Sequence, residues 1–101
     1  MQGVARYVLA EHAKLRTVDP LRIVEVGAGA GGLARDILDF VRDSAPHVYR
    51  DVQYTSVEAS AELAARQTRR VSEDGGHGSR FQVQVRGESC LDLFFVPARP
   101  V

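Results

Sequence analysis

The chain has 101 residues, of which 45% are apolar, and 13 Lys plus Arg balance 13 Asp plus Glu. Zero formal net charge and a mean hydropathy of −0.16 describe a globular composition, not a collagen-like or highly charged disordered one. The length allows one small domain, no basic excess argues for nucleic acid, no apolar run approaches the roughly 20 residues of a membrane span, and the lone Cys90 excludes an internal disulfide.

The first twenty residues mix Arg6, Lys14 and Arg16 with Glu11 and Asp19, unlike a secretory signal or an organelle presequence. Residues 3–16 carry a rough apolar stripe (Val4, Val8, Leu15, with Ala5 and Tyr7) that predicts a helix, and Asp19-Pro20 ends it. Residues 22–26 form a β-branched run bounded by turn residues, which predicts a buried parallel strand. The cluster Gly27-Ala28-Gly29-Ala30-Gly31-Gly32 follows at once. Over residues 33–42, Leu33, Ala34, Ile37, Leu38 and Val41 share one helical face, and Asp43-Ser44-Ala45-Pro46 stops that helix. Residues 52–58 predict a second strand. Ser60 is the candidate N-cap of a third helix running to about Val71, with Leu63, Ala64 and Val71 on its apolar face. Asp74 to Ser79 has loop composition, and Phe81, Val83 and Val85 alternate with polar residues as a third strand over 81–86.

Helices alternating with strands predict βαβ units with right-handed crossovers. The expected fold class is therefore α/β, a partial Rossmann-like three-layer sandwich built on its first three parallel strands. The expected organisation is a cofactor-binding unit over residues 1–86 and a divergent tail over 87–101. In that tail, residues 91–96 are apolar but stand too close to the third strand for a parallel return. They fit either a hairpin partner for 81–86 or a loose end that leaves Phe94 and Phe95 exposed.

Four glycines in six residues between a strand and a helix let a ligand approach the backbone and the unpaired N–H groups of the helix start. Gly27, Gly29 and Gly32 fit G-x-G-x-x-G, while Gly27, Gly29 and Gly31 fit G-x-G-x-G. Glu25, two residues ahead, would repel the pyrophosphate of a dinucleotide and attract a cofactor bearing an ammonium and a sulfonium. That leans toward S-adenosylmethionine (SAM) over NAD. Glu58, at the end of the second strand, suits the ribose hydroxyls of either. A non-functional tight turn is the bland alternative for the glycines, and an edge-strand surface residue the bland one for Glu25. The three histidines have no metal-site spacing, and His77, among glycines, is expected to be solvated. Ser44, Ser56 and Cys90 lack a nucleophile's context. Tyr54 is expected as a packed strand aromatic, and Arg66, Arg69 and Arg70 as a solvated helix face.

The run Ile23-Val24-Glu25-Val26-Gly27-Ala28-Gly29-Ala30-Gly31 resembles motif I of class I SAM-dependent methyltransferases. With Ile37 to Phe40, Ala45 to Tyr49, Tyr54 to Ser60, Leu63-Ala64 and Gln67, the chain resembles the MidA-like group over residues 4–86. That group includes a mitochondrial complex I assembly factor that methylates an arginine of a complex I subunit. The resemblance implies a SAM site made of Glu25, Gly27, Ala28, Gly29 and Gly31, with Glu58 on the ribose. Family members place an acid just after the third strand, near the adenine. Here that position is Gly87, and the neighbouring Glu88 is the candidate. The resemblance further implies a protein substrate and a mitochondrial location. It also implies a chain shorter than the full family member, with weak or no turnover by itself. Two other readings stay open: a fragment of an NAD(P)-binding Rossmann oxidoreductase, and a non-catalytic interaction module that dimerises through an open sheet edge.

Overall fold

The computed structural model describes residues 2–15, 19–27 and 29–86. Helix α1 (Gln2–Leu15) leads to strand β1 (Arg22–Val26), helix α2 (Gly32–Ser44), the short helix α3 (Pro46–Tyr49) and strand β2 (Gln53–Glu58). Helix α4 (Ala61–Gln67) continues without a break into a π-helical segment (Thr68–Asp74), and a 3-10 turn (Gly78–Arg80) delivers the chain to strand β3 (Phe81–Val85). The strands are parallel in the order β1-β2-β3, with Ile23, Tyr54 and Phe81 in one row and Glu25, Ser56 and Val83 in another. This is the expected α/β architecture.

The periodicity of α2 explains its docking. Ala34, Ile37, Leu38 and Val41 recur at helical spacing and are all essentially buried, and they pack with Tyr54, Phe81 and Val71 in one core. Ala5 of α1 joins that core, and the Arg6 guanidinium lies 5.3 Å from the centre of the Phe40 ring. The helix ends at Ala45, because Pro46 disfavours helical geometry in the residue before it. Pro46 is more than a stop: its fixed φ suits a first helical position, and it starts α3, which periodicity alone did not reveal.

Helices cover the rows of Ile23, Tyr54 and Phe81 and of Glu25, Ser56 and Val83, whereas Val85 at the end of that face and most of the opposite face stay open. Val24 and Val26 are 40% and 37% exposed, and Gln53, Gln82 and Gln84 on the same face are also exposed. Val57, flanked by Val26 and Gln84 in the central strand, is the buried exception. The described residues thus supply two of the three expected layers. The expectation of a buried first strand is corrected: β1 has one neighbour among the described residues and alternates between exposed and half-buried positions. The divergent tail expected over 87–101 lies outside the described residues.

Candidate functional site

Parallel strands place their carboxyl ends together, and the loop that leaves β1 meets the end of β2 there. The Gly27 amide donates to the Val57 carbonyl at 3.0 Å, which anchors the start of the glycine loop on the neighbouring strand. Gly27, Gly29 and Gly31 all have positive φ, at 69°, 61° and 89°. They divide by surroundings. A Cβ on Gly27 or Gly29 would point into open space, whereas one on Gly31 would stand 3.1 Å from a Val71 methyl and 3.4 Å from the Gln67 Cα. Two glycines therefore keep a surface clear, and the third lets the π-helical segment pack against the loop. The space before Gly27 and Gly29 is open, with no atom of the described residues within 4 Å of where either Cβ would stand.

Glu58 is the deepest charge of the site, 7% exposed. Its Oε2 accepts from the Ser60 amide at 3.0 Å and its Oε1 from Gln67 Nε2 at 3.0 Å, with no cationic partner among the described residues. A buried carboxylate held only by neutral donors is costly to keep for packing alone. The helix that presents these donors starts as expected: Ser60 Oγ caps it by accepting from the Leu63 amide at 3.1 Å.

Gln67 is fully buried and links the parts. Its Nε2 donates to the Gly29 carbonyl at 2.7 Å as well as to Glu58, and its Oε1 accepts from the Ser56 hydroxyl at 2.7 Å. The carbonyl of Gly29 only accepts, so it fixes which end of the amide faces it. The sequence held a signal for this residue beyond the family likeness. It stands four positions after Leu63 and four before Val71, a polar group on an apolar helical stripe.

Glu25 is half-buried at the same end of the sheet, in register with Ser56. Its Oε1 accepts from the Tyr54 hydroxyl at 2.6 Å. Burial, and then the bond to Glu25, push the Tyr54 phenol well above its ordinary range, so it remains a donor. Tyr54 is also the packed aromatic expected, tilted against Phe81 at 5.7 Å between ring centres. The structure thus brings together Gly27, Gly29, Gly31 and Glu58, with Glu25 one row away. Ala28 and Glu88 lie outside the described residues. Arg66, Arg69 and Arg70 are exposed as expected, and the Arg70 guanidinium reaches within 3.7 Å of where a Cβ on Gly32 would stand.

The reading of His77 as solvated is corrected. It is fully buried, its Nε2 lying 2.7 Å from Asp39 Oδ1 and its Nδ1 2.7 Å from the Tyr49 hydroxyl. The glycines around it form the turns that fold it inward, and Arg80 closes the cluster with its guanidinium 4.2 Å from the centre of the Tyr49 ring. Burial lowers the His77 pKa, against the opposing pull of the Asp39 bond. A neutral ring donating to Asp39 and accepting from Tyr49 satisfies all three groups. This cluster ties α2, α3 and the turn before β3 together and shares no hydrogen bond with the glycine loop. Among the described residues, no three His, Cys, Asp or Glu side chains are grouped to hold a metal ion, and no helix is long and apolar enough to cross a membrane.

One family model matches residues 3–91, that of the family described as "putative S-adenosyl-L-methionine-dependent methyltransferase". No curated protein is similar to the chain at a significant level.

Proposed function

We infer the function of a chain that belongs to this family of S-adenosyl-L-methionine-dependent methyltransferases, matched over residues 3–91 of its 101. The reading is a SAM-binding unit whose cradle is the glycine loop between β1 and α2. The observation that carries it is Glu58: a carboxylate 7% exposed, without a cation, held by two neutral donors beside that loop. Each of its oxygens keeps acceptor capacity for a hydroxyl of a ribose. Gly27 and Gly29 hold open the space a ligand's polar end would occupy. Glu25, fixed by Tyr54, places negative charge near the loop, complementary to an ammonium.

When bound, SAM supplies an electrophilic methyl carbon on a sulfonium, already a good leaving group. The work left to this chain is binding and orientation. Glu58 would hold the ribose end, Glu25 would bias the charge, and the loop amides at the start of α2 would hold the polar end. The MidA-like resemblance supports the finer reading, a protein arginine as methyl acceptor and a complex I subunit in the mitochondrion as substrate.

Titration calorimetry of SAM into the 101-residue chain tests the reading. Saturable binding weakened about tenfold or more by Glu58→Ala is expected, the loss of a charged hydrogen bond to the ribose. Absence of binding by a chain shown by circular dichroism to be folded refutes it. One observation favours a second reading: Arg70 over the first turn of α2 would suit the phosphates of a dinucleotide. NAD that binds and displaces SAM would establish that reading instead.

A further inference from the structure

We propose that Gln67 is a positioning residue that locks the ribose-binding carboxylate and the glycine loop into one rigid unit, and so sets how strongly the site discriminates for ribose hydroxyls. The proposal rests on the SAM reading for its ligand and on the hydrogen bonds of Gln67 and Glu58 for its mechanism.

The geometry is specific. Both protons of the Gln67 amide are committed, one to Gly29 O at 2.7 Å and one to Glu58 Oε1 at 3.0 Å, while Ser56 occupies its oxygen at 2.7 Å. The side chain has no rotational freedom left that does not break a buried bond. Glu58 is then pinned at both oxygens, by Gln67 on one and by the Ser60 amide on the other. The last glycine of the loop rests on the same residue, since a Cβ on Gly31 would lie 3.4 Å from the Gln67 Cα. One buried residue therefore holds the loop at Gly29 and Gly31 and the acid at Glu58.

The choice of an amide has a chemical reason. An arginine here would also donate twice, but it would neutralise Glu58 and compete with the ligand's hydroxyls. A glutamate would set a second carboxylate against Glu58 and an acceptor against the Gly29 carbonyl. Glutamine orients the carboxylate and leaves its charge for the ligand.

The experiment uses the full chain, Gln67→Met and Gln67→Glu, with SAM and its 2′-deoxyribose analogue as probes and amide hydrogen exchange as a ligand-free readout. In Gln67→Met, the Gly27 and Ser60 amides are expected to exchange about tenfold faster, while those of Ile37 to Val41 keep their protection. The wild-type preference for SAM over the deoxy analogue, expected at about tenfold, should fall toward parity in Gln67→Met, with SAM itself bound about tenfold more weakly. A merely structural role would weaken both ligands alike and leave the ratio unchanged, which overturns the proposal. Unchanged exchange at Gly27 and Ser60 overturns it whatever binds. If the wild type is folded but binds neither probe, the SAM reading fails, and the ribose-discrimination part falls with it, while faster exchange in the variants still establishes the lock. Gln67→Glu, nearly identical in shape, must show the same exchange pattern if Gln67→Met proves too unstable to measure.

Discussion

Alanine at Gly31 and at Gly29 should separate packing from ligand access within a single loop. Both residues have positive φ, so each substitution places an L-residue in the left-handed region at a cost of about 1–2 kcal/mol. At Gly29 the cost ends there, because the new methyl meets open space. At Gly31 the methyl arrives 3.1 Å from Val71 Cγ2 and 3.4 Å from the Gln67 Cα. The valine methyl can yield a few tenths of an ångström only by pressing on the core, where Val71 is fully buried, and the Gln67 backbone is fixed within its helix. Overpacking of this sort costs about 1–3 kcal/mol more. Gly31→Ala should therefore lose about 2–5 kcal/mol in total and Gly29→Ala about 1–2 kcal/mol. Urea unfolding followed by circular dichroism reads both as shifts in midpoint at constant slope. SAM affinity should move in the opposite order per unit of stability lost: Gly29→Ala stays folded and intrudes on the cradle. Equal midpoints for the two variants would refute the division of the loop into an open half and a packed half.

Three further outcomes follow from the same structure. Tyr54→Phe removes the donor to Glu25 and should cost about 1–2 kcal/mol, measurable by urea unfolding, with weaker SAM binding by calorimetry. Leu38→Ala empties a fully buried position in the α2 face and should cost about 2–5 kcal/mol in the same unfolding assay, which an exposed position would not. His77 binds its proton less readily when folded than the ordinary value of 6.5, so the unfolded chain takes up that proton first on acidification. Its contribution is complete above about pH 6.5 and is lost as pH falls toward the folded pKa; midpoints at pH 7.5, 6.5 and 5.5 should fall, and fall less steeply in His77→Gln.

The order of elements was legible because each carries its own period: the stripe of Ile37, Leu38 and Val41 in α2, and the alternation of Phe81, Val83 and Val85 in β3. Ser60 announced its helix by residue type, and Glu58 by its place at a strand end. What escaped depends on tertiary surroundings. The run Ile23 to Val26 looks the same in a central strand and in an edge strand, so the exposure of Val24 could not be read from it. His77 looked solvated because its neighbours are glycines, yet those glycines make the turns that bury it against Asp39 and Tyr49. The π-helical segment after Gln67 has no sequence period of its own, although the packing of Val71 on Gly31 depends on it.

The bond from Gln67 to Gly29 joins residues 38 apart in the chain, and that from Tyr54 to Glu25 joins residues 29 apart. The proposed cradle is complete only once β1, β2 and α4 have met, so its occupancy and folding would form one linked equilibrium. A ligand at a hundredfold its dissociation constant would add about 2.7 kcal/mol to the free energy of unfolding. The melting temperature of the chain is therefore itself a titration curve for whatever the loop holds.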